Sequence, residues 1–413
     1  MIHPSGNLPT QILTWSSLVL LAFAVLAVEA CGDERAAVTV SERARDLHRR
    51  SLVFDGHNDL PWEIRKHPGK FGSVDIAVSQ PTWHTDIPRL RAGGVGAVFW
   101  SAYTPSDMQK DRPASRYVHE QIDVIQQMIE RYPDTFEAAR TADDVVRIRK
   151  GGKIASLIGL EGGHAIDNSL AVLRELYDRG ARYMTLTHSE TNDLADSATD
   201  QPRHSGLSEL GREVVKEMNR LGMIVDISHV SAKTMHEVLK VSTSPVIASH
   251  SSAFALASHP RNVPDDVLKL LKENRGVVMV NFYSGFIVQK NAAIGEKMFQ
   301  VRRELKARFS DPADFEKALE QWKKENPMEK GSIHDVVDHI DHIVKVAGID
   351  HVGLGSDFDG VPMLPVGLED VSTFPRITQI LLDRNYSDED IQKILGENTL
   401  RVLREAGQKA RSR

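Results

Sequence analysis

Eight short apolar, β-branched runs recur along this chain. Each leads into Gly, Ser, His or Asp and then into a longer amphipathic stretch. The runs are Leu52–Phe54, Val95–Trp100, Ile154–Leu160, Tyr183–Thr187, Met223–Ile227, Val246–Ala248, Val277–Asn281 and Val352–Leu354. Strands apolar on both faces of the pleat suit a parallel sheet covered on both sides by helices. Eight such units favour a closed (β/α)8 TIM barrel over an open doubly wound sheet. No glycine-rich dinucleotide fingerprint follows the first run, which weakens the open alternative further. From about Ser41 onward no low-complexity linker or composition break divides the chain, and 413 residues is an ordinary length for an undivided α/β barrel.

Helical patterns lie between the runs. They cover Leu170–Tyr177, Leu207–Leu221 and Val267–Lys272, the last opened by Pro264 and two acids. Ile333–Val346 carries apolar residues at 333, 336, 337, 340, 343 and 344, a helix period. Ser387 followed by Asp388, Glu389 and Asp390 predicts a capped C-terminal helix.

Net charge is −6 with both signs mixed along the chain, so the basic stripe that nucleic-acid binding needs is missing. The single cysteine, Cys31, allows no intrachain disulfide. It follows the uncharged run Leu18–Val28, which is too short to span a bilayer comfortably and fits a signal-peptide core. Val28-Glu29-Ala30 before Cys31 makes an imperfect bacterial lipidation site. The expected layout is a signal peptide or lipoprotein signal over residues 1–30, a lead-in over 31–50 and the barrel over 51–410. The protein is expected to be exported, periplasmic or anchored to the cell envelope through its N-terminus, with a cytoplasmic product as the alternative. The charged C-terminus argues against a GPI tail.

In a barrel, chemistry collects at the C-terminal ends of the strands. Six of the eight runs lead there into His, Asp or Glu: His57 and Asp59, Glu161, His188, His229, His250 and Asp357. A spacing of two on an extended strand points His57 and Asp59 to the same side. So many ionisable groups in one cavity would cost several kcal/mol each if unpaired. A divalent cation removes that cost. Imidazole with carboxylate and no thiolate suits zinc, with manganese and iron as competitors. The ligand count suits two metals, held about 3.5–4 Å apart by a bridging carboxylate. Other residues read as structural: Asp226 and Asp359 as supporting groups, His164 as a neighbour of the site, and His334, His339 and His342 as solvated on a polar helix face. His204 and His259 receive no role.

Seven segments in this order, "DGHNDLPW", "GLEGGHAI", "YMTLTHSETNDLADS", "GLSELGREVVKEMNRLGMIVDISHVS", "PVIASHSSAFALASHPRNVPDDVL", "GVVMVNFY" and "HVGLGSDFDGV", resemble the membrane (renal) dipeptidase family of zinc metallopeptidases, an amidohydrolase-like group, here in a bacterial form. The resemblance runs from about Leu52 to Asn398. It implies a TIM barrel of the metal-dependent hydrolase type and a zinc-dependent dipeptidase with two Zn2+ per chain. His57 and Asp59 would bind one zinc, His229 and His250 the other, and Glu161 would bridge them. Asp357 would sit beside the first zinc as general acid and base. His188 would contact the substrate near the scissile carbonyl and stabilise the oxyanion. Arg261, in "PRNVPDD", would bind the substrate's C-terminal carboxylate; by sequence pattern alone it reads as a surface arginine. The expected partners are a dipeptide substrate, no nucleic acid, a membrane reached through the N-terminus, and a second copy of the chain in a homodimer. An amidohydrolase acting on N-acyl amino acids or cyclic amides is the alternative with the same metals.

Overall fold

The computed structural model describes residues 38–69, 73–106 and 113–411. The apolar run, Cys31 and the expected signal segment fall outside the described residues. No helix among those described is long and apolar enough to cross a membrane.

All eight apolar runs form strands. In chain order the strands are β1 (Val53–Asn58), β2 (Val95–Tyr103), β3 (Phe136–Ala138), β4 (Ile154–Glu161), β5 (Ala181–Thr185), β6 (Ile224–Asp226), β7 (Ile247–Ala248), β8 (Val277–Val280) and β9 (Val352–Leu354). Every pairing is parallel. The ring runs β2-β1-β9-β8-β7-β6-β5-β4 and closes through seven paired residues of β2 and β4. β3 is an unanticipated ninth strand. It pairs with Ile154–Ser156 at the start of β4, below the point where β5 takes over. Three residues carry too little pattern to be read from sequence.

Alternation along the strands sorts the core into two layers. Phe54, Phe99, Leu157, Tyr183, Ile224, Ile247 and Met279 fill the barrel interior. Val53, Val98, Ile158, Met184, Val225, Val278 and Val352 face outward against the helices. The last helix, Asn398–Arg411, closes the bottom of the barrel with Val402, Leu403 and Ala406. The predicted capped C-terminal helix is in fact two helices. Asp388–Gln392, capped by Ser387, is joined to Asn398–Arg411 by a π-turn at Lys393–Glu397. Gly396 is the reason the break fits there. A β-carbon at that position would stand 2.4 Å from the Leu52 carbonyl oxygen and 2.8 Å from Phe54.

The other helices follow their sequence signals closely. Leu170–Asp178 and Glu209–Leu221 are capped by Ser169 and Ser208, and Asp265–Asn274 opens after Pro264. Ile333–Ala347 starts with a Ser332/Asp335 capping box. One reading on this helix needs correction: His339 is buried, not solvated. It sits three residues from Val336 and therefore shares the apolar face. Its Nδ1 accepts from the Ala253 amide at 2.9 Å, and its Nε2 lies 3.1 Å from the Ile287 carbonyl. His342 is half-buried and pairs with Asp265 at 2.7 Å.

Between β8 and that helix the chain inserts Ser284–Ile287, Gln289–Arg308 and Pro312–Glu325. These lie outside the eight repeating units, and the longest of them, Gln289–Arg308, has only a weak amphipathic pattern.

Candidate active site

The mouth of the barrel opens into a cavity of about 610 Å3. Glu161, the last residue of β4, stands at its base. One oxygen, Oε2, accepts from Ser101 Oγ at 3.0 Å and lies 3.6 Å from His57 Nε2. The other, Oε1, lies 3.1 Å from His229 Nε2 and 3.6 Å from both His250 Nε2 and His188 Nε2. His57 Nε2 is also 3.2 Å from Asp59 Oδ2. Asp357 joins His57 and Asp59 on the same side. All seven strand-end residues singled out in the sequence therefore meet in one place.

Asp59 gets there by a route the spacing did not foresee. It lies past the end of β1 at the N-cap of the helix Leu60–Lys66, with φ −100° and ψ 17°. Aspartate is among the best capping residues, yet this side chain makes no cap hydrogen bond. Its carboxylate is turned to the cluster instead. His229, Asp357 and Asp359 have left-handed backbones, with φ of 66°, 62° and 67°. Such conformations are uncommon for residues other than glycine and collect at functional sites.

Outer groups fix the imidazoles. Tyr183 Oη lies 2.8 Å from His57 Nδ1. Tyr183 reaches it because β4 carries Gly159, where a β-carbon would stand 2.0 Å from the phenol ring. Ser249 Oγ lies 2.7 Å from His250 Nδ1 and donates to Asp226 Oδ2 at 2.7 Å. Thr185 donates to the same oxygen. Both histidines thereby present Nε2 to the cluster, the arrangement that a ligating histidine needs. Asn281 donates to Asp357 Oδ2 at 2.7 Å.

The electrostatics point to a cation. Burial drives His229 and His250 well below the ordinary imidazole range, and Arg261 adds to it, so both rings are neutral. Burial opposes charge on His57, but Tyr183, Glu161 and Asp59 outweigh it and hold the ring protonated. Burial likewise opposes charge on Glu161, and His57 and His229 overcome it. His57 Nε2 and His229 Nδ1 nevertheless have no hydrogen-bond partner. His229 Nε2 and His250 Nε2 lie 2.9 Å apart, so both nitrogens are turned to one point of the cluster. Three overlapping donor sets arise, His57–Glu161–His250, Glu161–His188–His229 and His57–Asp59–Asp357, each with its donor atoms within 4.8 Å of one another. Imidazole nitrogens and carboxylate oxygens without thiolate are the donors that zinc, manganese or iron accept, so the residues fit a metal.

His188 is as close to Glu161 as His250 is, but its side chain is 18% exposed where that of His250 is 1%. Burial pulls it down to about 4, so it too is neutral. Arg261 is 1% exposed, against the surface position that its sequence context alone indicates. Its Nη1 donates to Ser251 Oγ at 3.3 Å and its Nη2 to the His250 carbonyl at 3.4 Å, while Nε has no partner. Among the described residues no carboxylate pairs with it. Burial lowers it to about 10, which leaves it charged at neutral pH. A buried guanidinium lining the cavity without a carboxylate is a seat for an anionic ligand.

Asp226 serves as a supporting group, as its sequence position indicated. His164 is buried and bonded to the Thr104 carbonyl at 2.9 Å. His259 accepts from the Arg261 amide at 3.1 Å and packs on Phe286. Tyr183, Ser249 and Asn281 were missed because a search for ionisable strand ends passes over neutral partners.

A family model described as membrane dipeptidase (peptidase family M19) matches residues 41–413. This chain belongs to the membrane dipeptidase family. It is 43% identical over 366 residues to the dipeptidase tcpJ of Claviceps purpurea (strain 20.1), covering 85% of this chain and 76% of that one. The solved structure of the probable dipeptidase PvdM from Pseudomonas aeruginosa is similar, with a TM-score of 0.76 and 27% identity over 89% of this chain and 98% of that one. A metallo peptidase from Rhodobacter sphaeroides, liganded with a phosphinate mimic of the dipeptide L-Ala-D-Ala, aligns with a TM-score of 0.69 and 25% identity, covering 86% and 99%. Membership makes the chain a metal-dependent hydrolase of the dipeptidase type, with the (β/α)8 barrel expected from its repeating units.

If Tyr183 orients His57 for a metal, Tyr183→Phe keeps the ring packed and removes only the hydroxyl. Metal affinity, measured by chelator competition, should fall about 10–100-fold, with little change in thermal stability. Unchanged affinity would remove Tyr183 from the account.

Proposed function

We propose that this chain hydrolyses the peptide bond of dipeptides at a centre holding two zinc ions. The supporting observation is Glu161, whose two oxygens face separate groups of donors. In this reading His57 and Asp59 would hold one zinc, His229 and His250 would hold the other, Glu161 would contribute to both, and Asp357 would stand beside the first. Cations bound there supply Lewis acidity toward water and the substrate carbonyl near neutral pH.

The protein's own groups do the rest. Arg261 takes the substrate's C-terminal carboxylate in a charge-assisted pair. Anchoring that end so near the cluster limits the substrate to a short chain. Asp357 accepts the proton of the attacking water and later gives it to the leaving amine. Asn281 holds one Asp357 oxygen and leaves the other for that exchange. His188 Nδ1 lies 3.0 Å from Ser189 Oγ. With that nitrogen accepting, Nε2 carries the proton and donates to the carbonyl oxygen as charge develops on it. Export to the cell envelope, with Cys31 as a point of lipid attachment, is proposed from residues 1–31 of the sequence alone.

Zinc-reconstituted protein should turn over dipeptides and leave their N-acetylated counterparts largely intact. Arg261→Ala should raise KM for a dipeptide by at least about tenfold and affect the dipeptide amide much less. Equal losses on both would reject Arg261 as the carboxylate anchor, and faster turnover of the N-acetyl compound would favour the amidohydrolase alternative.

Asp357→Asn keeps the side-chain shape but cannot carry the proton. Its kcat should fall by at least about 10²-fold while metal content, measured on the same sample, stays at the unsubstituted level. Metal lost in step with activity would make Asp357 chiefly a ligand. Full metal with near-normal kcat would exclude both roles.

A further inference from the structure

The inserted helix Gln289–Arg308 lines the outer cavity with Arg302, Arg303 and Lys306. Lys66 and Lys323 line it as well, against only Glu190 and Glu316 once the buried acids at and beside the cluster are set aside. The mouth of the site is therefore positive. Most of these cations already have carboxylate partners: Lys66 pairs with Glu63 at 2.6 Å, Lys323 with Glu320 at 2.6 Å and Arg303 with Asp200 at 3.6 Å. Arg302 differs. It is half-buried, its guanidinium lies 5.7 Å from the Phe315 ring, and among the described residues no carboxylate pairs with it.

Arg302 and Arg261 line one cavity. Arg261 lies 5.2 Å from the Phe286 ring, and Phe286 meets Tyr283 edge-on at 4.9 Å. Burial and Asp357 both raise the Tyr283 phenol, and the charge that pulls it back is that of Arg302. Arg302 thus lines the same cavity as Arg261, Tyr283 and Phe286.

We propose that Arg302 is a specificity-determining residue that receives a second negative charge on the substrate, a side-chain carboxylate on the residue bearing the C-terminus, as in Xaa-Asp and Xaa-Glu. This rests on the dipeptidase reading and adds the substrate class. A guanidinium fork matches a carboxylate in a bidentate pair. A neutral side chain in the same place leaves a partly desolvated cation without its partner, which is the situation that produces strong discrimination.

Ala-Glu and Ala-Gln are close in shape and differ in charge, so their kcat/KM ratio is the measurement. The unsubstituted enzyme should prefer Ala-Glu by about tenfold, mainly through KM. Arg302→Gln should bring the ratio close to one, and Arg302→Glu should shift preference toward Ala-Lys. A variant damaged only in folding loses activity on both substrates and keeps the ratio, so an unchanged ratio in Arg302→Gln overturns the proposal. Turnover of Ala-Gln with that unchanged ratio leaves the dipeptidase reading standing. Failure of the unsubstituted, zinc-loaded enzyme to cleave any dipeptide overturns both.

Discussion

Glu161 is the group on which the site depends. One buried carboxylate, 5% exposed, has four imidazole nitrogens between 3.1 and 3.6 Å from its oxygens. Alone in such a place a carboxylate would be protonated or would destabilise the fold. It is tolerated because positive charge is brought to it, from the His57 ring or from the cations that the same donors suit. The family's metal dependence and the buried position of Glu161 are two aspects of one electrostatic requirement.

The barrel interior meets that requirement in layers. An apolar floor of Phe54, Phe99, Leu157 and Met279 excludes water from below. Above it, Tyr183, Ser249 and Asp226 turn the imidazoles so that Nε2 faces the centre. The glycines are part of this construction. Gly159 makes room for the Tyr183 ring, and Gly56 makes room for Met279, whose sulfur would lie 2.0 Å from a β-carbon there. Arg261 and Asp357, both buried, line the cavity, the first without a carboxylate partner among the described residues and the second within the cluster.

Much of this was legible in the sequence, and the parts that were not have physical reasons. Eight apolar runs marked the eight strands of the closed ring because a parallel strand must be apolar on both faces. The residues just beyond those runs named the cluster because the barrel delivers strand ends to one place. Asp59 reached the cluster from a helix cap, since a spacing of two constrains direction only while the chain stays extended. His339 was misread because its neighbours' period was followed less strictly than the helix follows it. Arg261 needed the family resemblance, since nothing local distinguishes a buried arginine in a loop from an exposed one. β3, at three residues, was too short to be read from sequence, and nothing in the sequence of the inserted helices 284–325 showed that they border the cavity.

The central claim is that Glu161 separates two metal positions. Crystals of the zinc-loaded enzyme measured at the zinc absorption edge test it directly. The account predicts two anomalous peaks, one beside His57 and Asp59 and one beside His229 and His250, with the Glu161 carboxylate between them. A single peak, or a second one remote from Glu161, would contradict it.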